Sequence, residues 1–200
     1  MIPSVLMNLD FIKEAINIIL VGPNGVGKST IARNIAHHAL LQGHTVLFTT
    51  AATMLNELAA QDGDNALRRK LKYYAQPQLL VIDEIGYLSY GNRHADLLFE
   101  IINRRYEQKP TLVTTNRPFT EWGEVFPNAA CVVSLIDRLI HHAEILSIDG
   151  ESYRLKEAKE AASQRKLQRQ KTRRSTRADT GKKTPEKKTC QSTTTRRSAR

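Results

Sequence analysis

At 200 residues the chain is long enough for one domain with a substantial buried core, and an apolar content of 40% is compatible with that. Its net charge of +10 is local, because residues 1–155 carry 14 basic against 16 acidic side chains while residues 156–200 carry 16 against 4. The two cysteines, Cys131 and Cys190, have no metal-ligand spacing, Met1–Ile19 lacks the layout of a secretory signal, and no apolar run approaches membrane length, which argues against zinc-ribbon, disulfide-framework and membrane classes and predicts a soluble cytoplasmic protein.

Apolar runs bounded by turn residues predict short buried strands at Ile16–Val21, Thr45–Phe48, Leu79–Ile82, Leu112–Thr115 and Glu144–Ile148. Helical patterns separate most of them. Ile31, Ala32, Ile35, Ala36, Ala39 and Leu40 share one helical face that Gly43 terminates, and Leu97, Leu98, Ile101 and Ile102 repeat the pattern before Lys109-Pro110. This alternation predicts an α/β domain with a parallel sheet covered by helices on both faces. Asp149-Gly150 between Glu144–Ile148 and Glu151–Leu155 predicts a closing β-hairpin. After that the composition shifts to Lys, Arg, Thr, Ser and Gln, so the expected organisation is a domain over residues 1–158 and a basic, low-complexity, disordered tail over residues 159–200, with helical potential confined to Glu157–Lys171.

Gly22-Pro23-Asn24-Gly25-Val26-Gly27-Lys28-Ser29 satisfies G-x-x-x-x-G-K-S between a strand and a helix. Such a loop curls its backbone around phosphate oxygens, backed by the positive end of the helix. It predicts ATP and Mg²⁺ as ligands, with Gly22–Thr30 as the cofactor-binding stretch, Lys28 on the β/γ-phosphates, Ser29 on the metal and the Thr30 side chain turned into the helix start. Leu79–Glu84 ends an apolar strand in two acids: Asp83 to hold Mg²⁺ and Glu84 to polarise the attacking water as general base. The following strand ends at Asn116, whose amide is expected at the water or γ-phosphate. In Ser134–His142 an apolar helix is interrupted by Asp137 and Arg138. Periodicity leaves Arg138 either on a solvated face or as an arginine finger reaching a neighbouring subunit's nucleotide.

Ile82–Leu88, Leu97–Phe99, Asn103–Glu107, Pro118–Phe126, Asp137–Leu139 and Gly150–Glu157, together with the phosphate loop, resemble the IstB family of transposition-helper ATPases, relatives of the DnaC helicase loader within the AAA+ class. The resemblance covers about residues 9–158. It implies a three-layer P-loop fold with strand order 5-1-4-3-2, a homo-oligomer assembling on duplex DNA when ATP is bound, and delivery of a target site to a transposase. Lys28, Ser29, Asp83, Glu84 and Asn116 take the roles given above, and Arg138 matches the arginine-finger region. Family members usually carry a helical domain ahead of the ATPase, whereas here the loop begins at Gly22, so the expected chain lacks that module; the basic tail also lies outside the resemblance.

Arg68, Arg69, Lys70 and Lys72, and separately Arg104-Arg105, are candidate phosphate contacts, and the tail should bind polyanions without sequence preference. His37-His38 and His141-His142 lie in helices with no further ligand nearby in sequence, which reads as surface or interhelical histidines and not as a metal site. The leading expectation is a DNA-dependent ATPase that helps transposition. Its rivals are a helicase loader, a small-molecule nucleotide kinase, which the Asp83-Glu84 pair disfavours, and a non-hydrolysing ATP-binding module.

Overall fold

Strands form where the apolar runs predict them: β1 (Asn17–Val21), β2 (Val46–Thr50), β3 (Leu79–Ile85), β4 (Thr111–Thr115) and β5 (Ala143–Ser147). They build one five-stranded sheet in the order β2-β3-β4-β1-β5, with every pairing parallel. Read from the other edge, this is the order that the family resemblance implies. The computed structural model describes residues 8–87, 91–126, 129–150, 152–153, 155–163 and 165, with the side chains of Asn92 and Ala129 excepted. Its chain divides into two units, Met1–Lys156 and Glu157–Arg200.

The strands read as continuous apolar runs because both faces of the sheet are covered. On one face Ile18, Leu20, Leu79, Val81 and Leu112 pack with Phe11 and Ile12 of α1 (Asp10–Lys13) and with Ala32, Ile35, Ala36 and Ala39 of α2 (Lys28–Leu41). The alternate residues Ile19, Leu80, Ile82 and Val113 point to the other face. There they meet α3 (Ala51–Ala59), α4 (Asp64–Ala75), α5 (Asn92–Arg105), α6 (Trp122–Val125) and α7 (Ala129–Ile140). Each such side chain contributes roughly 1.5–3 kcal/mol on burial, so the doubly covered central strands are the rigid base on which loops at the sheet edge are held.

Between β2 and β3 the sequence suggests only one basic helical segment, whereas the chain forms two helices. Thr50 caps the first, its hydroxyl accepting from the Thr53 N–H at 3.1 Å, and Met54, Leu55 and Leu58 bury its inner face.

The hairpin expected at Asp149-Gly150 does not form among the described residues. β5 pairs only in parallel with β1, and the chain then turns into a helix at Tyr153. Ser152 caps that turn: its hydroxyl accepts from the Leu155 N–H at 3.3 Å, and its carbonyl accepts the Lys156 N–H at 3.0 Å. A side-chain cap here overrides the hairpin preference of Asp-Gly. In the second unit residues 157–163 and 165 are helical, matching the helical potential expected from Glu157 onward, while most of the expected tail lies outside the described residues. Among the described residues no helix is long and apolar enough to cross a membrane.

Candidate nucleotide site

β1 ends at Val21 and the chain curls through the glycine-rich loop into α2. Gly25 and Gly27 take φ of 87° and 97°, left-handed values that side-chain-bearing residues rarely adopt, and the Gly27 carbonyl accepts the Ile31 N–H at 3.0 Å to begin the helix. A cleft of about 530 Å³ opens above this turn. Asn24, Gly25, Val26, Gly27, Lys28, Ser29 and Thr30 line it on one side, with Glu84 and Asn116 opposite. Gly22 and Pro23 do not line it. Their carbonyls instead accept the Lys28 ammonium at 2.7 and 2.8 Å. Thr30, expected to face the helix interior, is exposed to the cleft, because Lys28, Ala32, Ile35, Ala36 and Ala39 form the buried stripe of α2.

Asp83 is only 3% exposed, and its carboxylate is held by hydroxyls from two directions. Ser29 Oγ donates to Asp83 Oδ1 at 3.0 Å, and Thr114 Oγ1 donates to the same oxygen. The β3–β4 register slips here, Ile82 pairing with Val113 but Ile85 with Thr115, so both acids stand opposite the single residue Thr114. This is a β-bulge. Glu84 absorbs the extra residue by adopting φ 64°, and its N–H donates to Thr114 Oγ1 at 2.9 Å. Left-handed backbone at a non-glycine residue costs on the order of 1–3 kcal/mol and collects at functional sites. The strain turns the Glu84 carboxylate out to solvent at the cleft, while Asp83 stays buried beside Ser29.

Asn116 follows β4 on a turn tied by Thr115, whose Oγ1 accepts the Arg117 N–H at 3.1 Å and donates to the Arg117 carbonyl at 3.0 Å. The same strand end therefore supplies both the Thr114 bridge and the Asn116 amide.

Arg138 does not join these residues within the chain. Its guanidinium carbon lies 4.8 Å from the Phe99 ring centre and 5.7 Å from that of Tyr106, and its Nη1 is buried without a hydrogen-bond partner among the described residues.

Three contributors to the site escape motif reading. Thr114 reads as an ordinary strand threonine until the bulge places it against Asp83. Tyr87 and Tyr153, 62% and 64% exposed, line the cleft as aromatic faces. Tyr153 is docked by its backbone, its N–H donating to the Gly25 carbonyl at 3.0 Å.

A family model for the IstB-like ATP binding protein matches residues 2–161. The chain belongs to that family. An insertion-sequence protein of Geobacillus stearothermophilus (IS5376), named as ATP-binding, is 40% identical over 152 residues, which covers 76% of this chain and 61% of the relative. A protein of insertion sequence IS21 from Pseudomonas aeruginosa, also named as ATP-binding, is 40% identical over 156 residues, covering 78% of this chain and 59% of the relative. The IstB-like chain thus spans about three fifths of the length of these curated relatives. Among solved structures, DnaI superposes with a TM-score of 0.62 at 20% identity, covering 74% of this chain and 81% of that one, which shows the shared P-loop fold.

Basic residues around the IstB-like core divide into two groups. Arg105, a candidate phosphate contact from sequence, is instead buried, and it makes five hydrogen bonds, to Thr111 Oγ1 and to the carbonyls of Ala75, Pro77, Gln78 and Pro110. Burial lowers its pKa to about 10, and the guanidinium stays charged at neutral pH. Arg104 pairs with Glu100 at 2.8 Å, and Lys70 with Glu57 at 2.6 Å. Arg68, Arg69 and Lys72 stay exposed on α4 beside Tyr73, which is 52% exposed.

Proposed function

We propose that the cleft binds ATP with Mg²⁺ and hydrolyses it, and that the chain is a DNA-dependent ATPase serving insertion-sequence transposition. The observation that carries this reading is the hydrogen-bonded link from Ser29 through Asp83 and Thr114 to the Glu84 N–H, set directly beside the phosphate loop. It gathers a hydroxyl and a carboxylate suited to a hard cation, next to a second carboxylate that faces solvent.

Ser29 and Asp83 would hold Mg²⁺, which when bound offsets phosphate charge. Lys28 already presents its ammonium at the loop, bonded to the Gly22 and Pro23 carbonyls, and a phosphate would compete for it. Glu84 would accept the proton of an attacking water, and Asn116 would orient that water from the neighbouring strand end. Arg138 does not line its own chain's cleft, so a finger role requires a neighbouring subunit. Homo-oligomeric assembly on duplex DNA, with a transposase as partner, would then gate turnover. Arg68, Arg69 and Lys72 beside exposed Tyr73 form the DNA-facing candidate among the described residues.

The test is the ATPase rate per subunit as protein concentration rises, with and without duplex DNA. The reading expects a rate that climbs with concentration and with DNA, and an Arg138→Ala variant that still binds nucleotide but gives a flat, low line. A wild type that is flat and near zero under all conditions identifies a non-hydrolysing module. Stimulation by a replicative helicase and single-stranded DNA, in place of duplex, identifies a helicase loader.

A further inference from the structure

His141-His142 has no partner nearby in sequence, but the fold brings one. Glu107, just beyond α5, places Oε1 3.8 Å from His141 Nδ1 and 3.6 Å from His142 Nε2. The three ligand atoms all lie within 4.8 Å of one another. We propose that Glu107, His141 and His142 form a binding site for a divalent transition metal, with Zn²⁺ as its occupant.

Zn²⁺ bonds imidazole nitrogen and carboxylate oxygen at about 2.0–2.2 Å, so the donors of a tetrahedral site stand roughly 3.4 Å apart. The two nitrogen-to-oxygen separations, 3.8 and 3.6 Å, are already close to that spacing. Closing the remainder asks for side-chain rotation alone, since the three side chains are between 51% and 54% exposed and no core packing has to move. Two imidazoles and one carboxylate select Zn²⁺, Co²⁺, Ni²⁺ or Cu²⁺ over Mg²⁺ or Ca²⁺, whose hard character prefers all-oxygen shells. Three protein donors leave a fourth position to solvent.

The backbones beneath the ligands are fixed. Arg105, with its buried guanidinium, accepts through its carbonyl the N–H groups of Gln108 at 3.0 Å and Lys109 at 2.9 Å, closing a tight turn in which Glu107 adopts φ 56°. On the other side the Asn17 N–H donates to the His142 carbonyl at 2.7 Å, and Asn17 Nδ2 donates to the Leu139 carbonyl at 3.0 Å, tying the end of α7 to the start of β1. The two imidazoles meet edge to face with centres 4.2 Å apart. The Tyr106 hydroxyl lies 2.9 Å from His141 Nδ1, and a metal on that nitrogen replaces this hydrogen bond. The site is therefore a preset backbone frame carrying three exposed donors.

The test is a Co²⁺ titration of the full chain without nucleotide, read by visible absorption and followed by Zn²⁺ competition. The expected result is one Co²⁺ per chain with nitrogen and oxygen ligation and no thiolate charge-transfer band, displaced by Zn²⁺. His141→Ala, His142→Ala and Glu107→Gln should each weaken binding roughly tenfold or more. His37→Ala/His38→Ala, which alters the other histidine pair, should leave binding unchanged. Thermal melts without metal check that the variants fold, and a metal-induced rise in melting temperature, present in the parent and lost in the variants, gives an independent readout. Thiolate bands, unchanged affinity in the three variants, or no wild-type binding overturns the proposal.

Discussion

Ser29 Oγ donates to Asp83 Oδ1 at 3.0 Å, joining the first turn of α2 to the end of β3. A carboxylate only 3% exposed needs hydrogen-bond donors in place of water, and here Ser29 and Thr114 provide them. In the proposed reading Ser29 and Asp83 are the pair that would hold Mg²⁺. Asp83→Asn keeps the shape and removes the charge. We expect nucleotide binding in excess chelator to persist while Mg²⁺-dependent hydrolysis falls roughly a hundredfold or more. Titration of a fluorescent nucleotide with and without Mg²⁺ separates the two effects, and equal Mg²⁺ dependence in both proteins would remove Asp83 from the site.

Glu84 differs from its neighbour in being exposed, strained and oriented to the cleft. Loss of a general base costs about 10²–10⁴ in rate. Glu84→Gln should therefore bind nucleotide as tightly as the parent and hydrolyse it slower by that factor. Its melting temperature should not fall, because an exposed carboxylate contributes little to folding. A variant that retains the parent rate would assign water activation elsewhere.

The strands and the phosphate loop were legible because each depends on local pattern, whereas the strand order came only with the family resemblance. Leu79–Ile82 is apolar throughout for the simple reason that both faces of β3 are covered. Ala51, Met54, Leu55 and Leu58 also carry helical spacing, but a run of only nine residues directly after a strand gives that pattern little weight. The bulge at Asp83-Glu84 was not legible, since it reflects the register against β4. Arg105 looked like one of two adjacent surface cations, and only the convergence of the Ala75–Gln78 and Pro110–Thr111 segments makes it a buried hub. Sequence cannot show such meetings of distant segments.

Gly25 binds the loop to the chain that follows β5. A side chain there would be strained by φ 87°, and its Cβ would run into Ser152 Oγ. Left-handed backbone alone costs a β-carbon about 1–2 kcal/mol. Gly25→Ala should lose more than that in stability and weaken nucleotide binding. Gly25→Ala/Ser152→Gly should recover the steric part and leave the backbone part. Chemical denaturation of the single and double variants measures the split; full recovery in the double variant would mean the backbone conformation is unimportant.

Arg105 is expected to behave as a structural residue. Arg105→Lys keeps the charge but cannot reach all the carbonyls bonded by the guanidinium, and each buried acceptor left unpaired costs about 1–3 kcal/mol. The melting temperature should drop by several degrees. The salt dependence of DNA binding should be unchanged in the folded variant, whereas Arg68→Gln/Arg69→Gln/Lys72→Gln should keep the fold and reduce the slope of log affinity against log salt by about 2.7 if all three meet duplex phosphates. An unchanged slope in the triple variant would move the DNA contacts off α4.

Glu57 links α3 to α4 and gives stability an acid dependence. Its carboxylate accepts from Lys70 Nζ at 2.6 Å and from the Tyr74 hydroxyl at 2.6 Å. The Lys70 hydrogen bond, then the Tyr74 hydrogen bond, hold its pKa below the usual carboxylate value of 4.5. With the folded value below the unfolded one, the unfolded chain takes up the proton first as pH falls. The contribution is therefore whole above the ordinary carboxylate range and disappears as pH drops through the lowered folded value. Glu57→Gln should be less stable than the parent near neutrality, and the two should converge in acid. Tyr74→Phe removes one donor and should shift the loss to higher pH. Urea midpoints measured across the acid range decide between ionisation and packing: a gap between parent and Glu57→Gln that stays constant down to the lowest pH would assign the effect to packing.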